Sequence, residues 1–591
     1  MHNFFFIEKF APTPAFSIDI WTPLMLCHVI SFRTFRQPFI FYQIIAGKES
    51  CLNLCSIQLT LKQGFLYTGH KAILKKQGIR KGEVMRKIRQ IYVVMAVFIV
   101  SLFVIQTFAF ATSASSGDTQ YVEAEQFETK AYYQKALELY KAARSQYLKT
   151  GNAVKAQMCR DKIFKMTAIL IEFPLSEEQA MAKLNEVFEG FSAEEKKALI
   201  GKLKGERVII DGNPRYFEQF TSNILFRHPE LRKRLPKIYE HYNVIAKKYG
   251  DIIFRQLDNT YMLKQWNSYI NPQTYIADVK VNIPRKELPE KGIYRLWIPA
   301  PILLDSQRDV RVISIEPQKY LKRTPQLDYD IGNAYFEIPL DTVKEDIHIS
   351  MKYSFTHYEQ YFTVDPGNVG EYDRTSELYR HYTSSSDNII VNPEIKRKAL
   401  EMVGNEKNPY LQAKRIYYEV VNKYRYSYMP HLYLYETLKP ESLFVLENGY
   451  GDCGSQSMLF AALCRSIGIP ARAIGGMLLT PGSPSTHFWA EFYIPNYGWI
   501  PVDPTIDEVV LYSDELTEGE RKKVHEYFFG HLDNRRMVIQ KDADIPVEPR
   551  ERERSIFNTT LQIPKAECET MEDLPIIPAL KGYDITIETQ Y

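Results

Sequence analysis

The order of apolar and polar residues predicts helices from residue 119 to beyond residue 213. Residues 119–170 have a helical pattern, in which apolar side chains recur at spacings of three and four from Tyr133 to Tyr147 and, after Thr150–Gly151–Asn152, from Ala153 to Met166. This pattern predicts two helices joined by a short turn. Further helix starts are predicted at the capping box Ser192–Glu195 and at Asn213–Pro214.

The pattern changes to alternation from residue 274 onward. Apolar residues occupy every second position from Tyr275 to Ile283 and from Ile347 to Phe355, which predicts two strands with one buried face. Shorter apolar runs between them, bounded by Pro, Gly, Asn and Asp, cover residues 294–301, 310–315 and 334–340. Several short strands at this spacing predict a β-sandwich.

Helical spacing returns after residue 390, and these predicted helices precede the candidate catalytic residues. Asn392–Pro393 and Asn408–Pro409 have the residues of helix N-caps. Another helix is predicted from Cys453, directly after Gly451–Asp452, to Gly468. The unpaired N–H groups at a helix start favour a thiolate and can hold an oxyanion, so the sequence predicts a lowered pKa for the Cys453 thiol.

The residues after this helix predict a β-hairpin that carries two further candidate catalytic residues. His487 opens an alternating run, and Asp503 ends a second run 16 residues later (503 − 487 = 16), with Pro495–Gly498 as the turn. Neighbouring antiparallel strands would set His487 beside Asp503, while the predicted helix aims Cys453 at the imidazole. A thiol, a base and a group that orients the base are the three parts of cysteine acyl transfer.

Four motifs in this order resemble those of the transglutaminase-like superfamily, whose fold is related to papain-like cysteine proteases. They are Gly451–Asp–Cys453, Gly468–Ile–Pro–Ala–Arg472, His487–x–Trp–x–Glu491 and Gly498–Trp–x–Pro–x–Asp503–Pro504. The resemblance covers about residues 390–510. It implies that Cys453 is the nucleophile, that His487 is a general base and then an acid, and that Asp503 orients His487.

The resemblance also implies a side-chain donor for the oxyanion, because members of the superfamily often use an aromatic or Gln residue upstream of the nucleophile. Tyr426 is the candidate; the alternative is a tyrosine packed in the core with its hydroxyl hydrogen-bonded. Cys464, inside the predicted helix, is expected to serve packing. Phe528–Arg536 is similar to the tail that often follows bacterial members.

Composition argues against several classes of function. The 591 residues carry 74 Lys and Arg against 71 Asp and Glu, a net charge of +3 that gives no signal for nucleic-acid binding. Seven cysteines are too few for a disulfide-stapled scaffold. The sequence has no zinc-site spacing and no Gly-rich phosphate loop, so no metal and no cofactor is predicted. A calcium site built from scattered carboxylates stays open.

Residues 85–111 have the layout of an export signal. Met85 starts a short basic stretch, Ile91–Ala111 is mostly apolar, and Ala109–Phe110–Ala111 is a cleavage-site pattern. The apolar run is long enough to remain as a membrane anchor, and both alternatives place the later residues outside the cytoplasm. Residues 1–84 show no sustained period, and we interpret them as an untranslated upstream extension with Met85 as the initiator.

Together the patterns predict a multidomain α+β chain that is exported, and the resemblance implies a bacterial source. The predicted boundaries are 1–84 for the upstream extension, 85–111 for the signal or anchor, 112–268 for a helical domain, 269–385 for the β-sandwich, 386–515 for the transglutaminase-like (papain-like) α+β domain and 516–591 for a C-terminal extension with short strands. The first helical pair resembles a tetratricopeptide-like hairpin, but no second copy follows at the period of about 34 residues that such a solenoid needs.

The leading hypothesis is an exported cysteine enzyme that takes an acyl group from an amide or peptide bond as a Cys453 thioester and passes it to water or an amine. Hydrolysis is favoured over cross-linking. The predicted partners are a protein or peptide substrate and a protein bound by the N-terminal helices, with no nucleic acid and with membrane contact only through residues 91–111 of an uncleaved signal. The alternatives are a non-catalytic envelope scaffold on the same fold and an assembly or secretion helper that acts through its helices.

Overall fold

A computed structural model describes residues 116–260, 269–480, 484–510, 516–552 and 560–590. The predictions for residues 1–84 and 85–111 lie outside this part of the chain. Within the described part, no helix combines the length and the apolar character needed to cross a membrane. The chain divides into two compact units: residues 124–591 lie in one, and residues 116–123, which begin the first helix, belong to the other.

The helices form an N-terminal, a central and a C-terminal group. The N-terminal group is α1 (Ser116–Thr129), α2 (Tyr133–Lys149), α3 (Ala153–Glu172), α4 (Glu177–Val187), α5 (Ala193–Ile200), α6 (Phe220–Arg227) and α7 (Pro236–Thr260). The central group is α8 (Glu377–Tyr382), α9 (Pro393–Val403), α10 (Pro409–Lys423), α11 (His431–Thr437), α12 (Glu441–Asn448) and α13 (Cys453–Ser466). The C-terminal group is α14 (Pro504–Val510), α15 (Glu518–Tyr527) and α16 (Ile576–Lys581).

The strands lie mainly between residues 269 and 590. Two strands precede that range, β1 (Arg207–Ile210) and β2 (Asn213–Tyr216). Those up to residue 451 are β3 (Tyr269–Ile283), β4 (Ile293–Pro299), β5 (Gln307–Glu316), β6 (Leu321–Arg323), β7 (Asn333–Pro339), β8 (Ile347–Tyr361), β9 (Arg425–Tyr426) and β10 (Tyr450–Gly451). The later ones are β11 (Ala471–Leu478), β12 (Ser485–Ile494), β13 (Gly498–Val502), β14 (His531–Leu532), β15 (Arg536–Gln540), β16 (Lys565–Glu567) and β17 (Tyr583–Gln590).

The helical pair α2–α3 lies where the apolar spacing predicts it. One face of α2 is buried through Ala136, Leu139, Tyr140 and further residues at spacings of three and four. The Asn152 side chain accepts the Lys155 N–H at 3.2 Å and so caps the start of α3. The predicted capping box is also present, because Ser192 Oγ accepts the Glu195 N–H at 3.2 Å and Glu195 Oε2 accepts the Ser192 N–H at 2.8 Å.

The predicted helix start at Asn213–Pro214 is wrong. These residues begin β2, which pairs antiparallel with β1. Asp211 and Gly212 form the two-residue turn between the strands, and both have positive φ angles, 52° and 76°. Asp-Gly is a strong turn signal for a tight hairpin, and it outweighs the tendency of Asn-Pro to start a helix.

Two sheets share one hydrophobic cluster in the region predicted as a β-sandwich. The first sheet has the order β14-β8-β3-β17, with β5 also paired to β8, and the second has the order β16-β4-β7-β6. Val281 and Ile349 of the first sheet are buried together with Leu296 and Phe336 of the second. Strands β14, β16 and β17 come from beyond residue 516, so the C-terminal region contributes to both sheets.

A third sheet carries His487 and ends directly before Asp503. Its strands are antiparallel in the order β13-β12-β11-β15. Helix α13 packs on β11 and β12, and all of its residues are buried. Strand β15 again comes from the C-terminal region, so this sheet is also completed by residues beyond 516.

Candidate active site

Cys453 occupies the first position of α13 because Asp452 caps that helix. Asp452 Oδ1 accepts the Ser455 N–H at 2.9 Å, and Ser455 Oγ accepts the Asp452 N–H at 2.8 Å, which completes a capping box. Cys453 is 8% exposed. Its thiol is free, as are the other cysteine thiols of the described residues. The structure thus places a free thiol at the start of a fully buried helix.

The surroundings of the thiol oppose its ionisation. Burial raises the pKa of Cys453 well above its usual range, and the charges of Asp452 and Asp503 raise it further. The N–H groups of Phe488 and Gly454 donate to the sulfur and act in the opposite direction. The predicted lowering of this pKa is therefore wrong, since a helix start stabilises a charge by about 0.3–1 kcal/mol, less than the cost of burying it.

The hairpin brings His487 and Asp503 together. His487 lies on β12, Asp503 follows β13, and His487 Nε2 is 2.8 Å from Asp503 Oδ2. Their side chains are 7% and 0% exposed. The N–H that Phe488 donates to Cys453 belongs to the residue after His487, so β12 passes directly beside the start of α13. The structure places the thiol, the imidazole and the carboxylate in one buried region.

A buried arginine balances the charge of Asp503. Arg536, on β15, has Nη1 2.7 Å from Asp503 Oδ2 and Nη2 2.9 Å from Asp533 Oδ2, and its side chain is fully buried. Burial by itself would raise the pKa of Asp503, but the charges of His487 and Arg536 outweigh it and hold that pKa below its usual range. Asp503 therefore stays ionised beside the histidine.

Gln562 fixes the backbone at the histidine. Its Nε2 donates to the carbonyl oxygens of His487 at 2.7 Å and of Gly476 at 2.8 Å. Gly476 is the register partner of His487 in the β11–β12 pair. One amide from the C-terminal region therefore holds both strands at the level of the imidazole.

Tyr426 lies on β9, which pairs in parallel with β10, so that Tyr426 and Gly451 are register partners. Its ring is buried and packs edge-on against Phe226 of α6 at 5.0 Å between centroids. The next tyrosine, Tyr428, also lies near the thiol. Burial raises the pKa of Tyr428, and negative charge at Cys453 raises it further. Both tyrosines thus border the start of α13.

A second histidine, His431, contacts the carboxylate oxygen of Asp452 that does not cap the helix. His431 Nδ1 is 2.7 Å from Glu441 Oε1, and His431 Nε2 is 2.7 Å from Asp452 Oδ2. These three side chains have the chemistry and spacing of possible metal ligands within the described residues. Each ring nitrogen already contacts a carboxylate, so the arrangement is that of an ion-paired cluster.

The comparisons with known proteins agree with the motifs. The model of the family described as the transglutaminase-like superfamily matches residues 396–504. These residues are a transglutaminase-like domain. They include α10, α13 and the β11–β13 part of the third sheet, and they end directly after Asp503. The search of curated proteins finds no match.

Three solved structures are distantly similar to the chain. A candidate cysteine protease from Cytophaga hutchinsonii is 14% identical, with 54% of this chain and 91% of that chain covered and a TM-score of 0.32. The periplasmic domain of TgpA from Pseudomonas aeruginosa is 15% identical, with 39% and 89% covered and a TM-score of 0.21. A candidate protease from Parabacteroides distasonis is 10% identical, with 38% and 62% covered and a TM-score of 0.15.

The sequence alone did not indicate several residues that surround the candidate active site. Arg536 and Gln562 lie outside the matched residues, and His431 is inside them but belongs to none of the quoted motifs. One signal was available: Arg536 is the last residue of the tail Phe528–Arg536 that resembles bacterial members. A charged residue in such a tail was a candidate partner for Asp503.

Proposed function

We propose that the transglutaminase-like domain, predicted to span residues 386–515, takes acyl groups from amide or peptide bonds through a thioester at Cys453. The observation that carries this proposal is a free thiol hydrogen-bonded to the N–H of Phe488, next to a histidine whose Nε2 contacts a carboxylate at 2.8 Å. A thiol nucleophile, a base and an orienting carboxylate are the groups that cysteine acyl transfer requires.

In the first step one proton is transferred, a C–S bond forms and the C–N bond of the substrate breaks. Because His487 Nε2 contacts Asp503, Nδ1 is the ring nitrogen that takes the Cys453 proton as the sulfur attacks the carbonyl carbon. The imidazolium then gives this proton to the leaving nitrogen as the C–N bond breaks, so an amine leaves and a thioester remains. Since burial keeps the thiol protonated at rest, we expect proton transfer to accompany the attack.

The second step releases the acyl group. Water or a second amine gives a proton to His487 and attacks the thioester carbon, and the proton then returns to the sulfur as the C–S bond breaks. Water yields a carboxylic acid, and an amine yields a new amide. We favour hydrolysis of a protein or peptide substrate, as the sequence reasoning does.

Two tyrosines are candidates for the side-chain donor to the oxyanion. Tyr426 is the residue proposed from the sequence, and Tyr428 is a second tyrosine near Cys453. Removing one oxyanion donor lowers kcat about 10²-fold. We expect this loss from Tyr426→Phe, with Tyr428→Phe as the matched control; the reverse result would transfer the role to Tyr428.

The rest of the chain is proposed to deliver and position this domain. We propose export through residues 85–111, a β-sandwich over 269–385 and a partner-binding tetratricopeptide-like hairpin in α2–α3. The shared hydrophobic cluster of the two sheets supports the sandwich. Exposed apolar side chains on the hairpin, Leu148, Val154 and Met158, support a partner surface.

The proposal is tested by trapping the thioester. The full chain is mixed with a pool of glutamine-containing peptides and a primary amine, quenched with acid, and analysed by intact-protein and peptide mass spectrometry. We expect an acyl adduct on Cys453 together with peptides that are hydrolysed or joined to the amine.

The control variants separate the nucleophile from a nearby cysteine. Cys453→Ala should abolish both the adduct and the products, and Cys464→Ala, which removes a buried thiol from the same helix, should keep both. Products that persist at an unchanged rate in Cys453→Ala would rule out this function.

One observation favours a second candidate, a non-catalytic binding protein of the cell envelope. Burial and neighbouring carboxylates hold the Cys453 thiol in its neutral form, which is poorly nucleophilic. A binding protein would give no adduct with any peptide, and Cys453 would react with iodoacetamide no faster than Cys464. A trapped thioester excludes this candidate.

A further inference from the structure

His431 has the contacts of a permanently protonated histidine. Its two ring nitrogens are each 2.7 Å from a carboxylate oxygen, of Glu441 and of Asp452. An ionised carboxylate only accepts hydrogen bonds, so both ring nitrogens must carry hydrogen to satisfy both contacts. Burial would lower the pKa of His431, but the two carboxylates outweigh it and raise that pKa well above its usual range.

Asp452 connects this histidine to the nucleophile. One of its oxygens, Oδ2, contacts His431, and the other, Oδ1, accepts the Ser455 N–H at the start of α13. The charge of Asp452 is also one of the causes that raise the pKa of the adjacent Cys453. A single carboxylate therefore holds the helix start, contacts the histidine and disfavours the thiolate.

Two further carboxylates fix the histidine from other helices. Glu441 begins α12 and has a side chain only 5% exposed. Glu172, at the end of α3, accepts the N–H groups of Leu432 at 2.6 Å and Tyr433 at 3.3 Å, which holds the first turn of α11. The N-terminal helices thus contribute to the placement of His431.

We propose that His431 is a positioning residue which, as an imidazolium, holds Asp452 in place and balances its charge, so that the thiol of Cys453 remains able to ionise during attack. This inference rests on the proposed function, because it concerns the nucleophile of that reaction. Among the described residues, the titratable groups that act on these two include Glu172, Glu441 and Asp452 at His431, and Asp452, Asp503 and Tyr428 at Cys453.

The inference is tested by the alkylation rate of Cys453, which follows the thiolate fraction and needs no substrate. The full chain reacts with iodoacetamide at fixed pH values from 7 to 9, and peptide mass spectrometry assigns the label. We expect His431→Gln to slow labelling of Cys453 about tenfold, because loss of the cation raises the thiol pKa by about one unit. His228→Gln, which breaks the partly exposed contact with Glu230, is the control and should have no effect.

The Asp452→Asn background separates charge from structure. If His431 acts by balancing Asp452, His431→Gln should slow labelling less than about threefold once that charge is absent, since Asn still caps the helix. Equal slowing in both backgrounds, or no slowing in either, would overturn the inference.

A charge-retaining variant covers the case in which His431→Gln does not fold. His431→Lys keeps a cation beside Asp452 and is expected to label within about threefold of the original chain; a folded His431→Lys chain that labels about tenfold more slowly contradicts the inference. Failure of the proposed function looks different, because it would remove the acyl adduct while these labelling ratios stayed as expected.

Discussion

Two histidines contact carboxylates near Cys453, and they differ in how charge is balanced. At the first site, Asp503 contacts the imidazole of His487 and the guanidinium of Arg536. At the second, His431 has two negative partners. Because Arg536 balances Asp503, the carboxylate remains ionised when His487 takes and gives a proton in the proposed reaction. Because both partners of His431 need its hydrogens, our inference gives that histidine a permanent charge. The surroundings thus suit one residue type for two proposed roles, a proton carrier at one site and a fixed cation at the other.

The largest expected effect separates these two roles. His487→Ala should lower kcat/KM for a peptide substrate on the order of 10³-fold, because it removes the general base and acid. His431→Gln should lower it only about tenfold, through the thiol pKa. Steady-state kinetics on both variants give the ratio. Losses of similar size would mean that the two histidines do not differ in role.

The next effect concerns the stability that the buried arginine provides. Arg536→Met leaves Asp503 and Asp533 as buried, unbalanced charges, and we expect a loss of about 3–5 kcal/mol in the free energy of unfolding. Urea denaturation measures it. Arg234→Met is the matched control, since the Arg234–Glu195 pair is 47% and 43% exposed and its loss should leave the free energy of unfolding nearly unchanged. Equal losses would show that Arg536 does not carry a buried charge balance.

The smallest effect is a pH dependence at the second site. Burial raises the pKa of Glu172 to about 7, above its value of about 4.3 in an unfolded chain. A raised pKa in the folded state means that this contribution to stability is complete below about pH 4.3 and is lost as the pH rises through 7. Glu172→Gln should therefore flatten the fall in unfolding midpoint between pH 5 and pH 8. An unchanged slope would assign the pH dependence to other groups.

Local interactions explain why most helix starts were predictable from the sequence. The Asn392 side chain accepts the Ile395 N–H, and Asn408 accepts the Tyr410 N–H, as their N-cap patterns predict. Such bonds span two or three residues, so a short pattern contains all the participants. The prediction at Asn213 was wrong because a second local signal, the Asp211–Gly212 turn, competed with it.

The site was predictable only as far as its motifs extend. Cys453, His487 and Asp503 belong to neighbouring motifs, and the hairpin spacing relates the last two directly. Arg536 and Gln562 follow their contact residues by 33 and 75 positions. No periodicity links residues at such separations, because the contact depends on how β15 and the C-terminal region return to the sheet. The thiol pKa was mispredicted for the same reason, since burial depends on the whole fold.

The contribution of Arg536 and Gln562 also determines when the site can form during synthesis. A ribosome makes the thiol, the imidazole and Asp503 first, and Arg536 is added 33 residues after Asp503. Gln562, which ties β11 to β12, is added 75 residues after His487. Until then the growing chain lacks the cation that balances Asp503. The surroundings of the His487–Asp503 pair are therefore complete only after the chain has grown past residue 562.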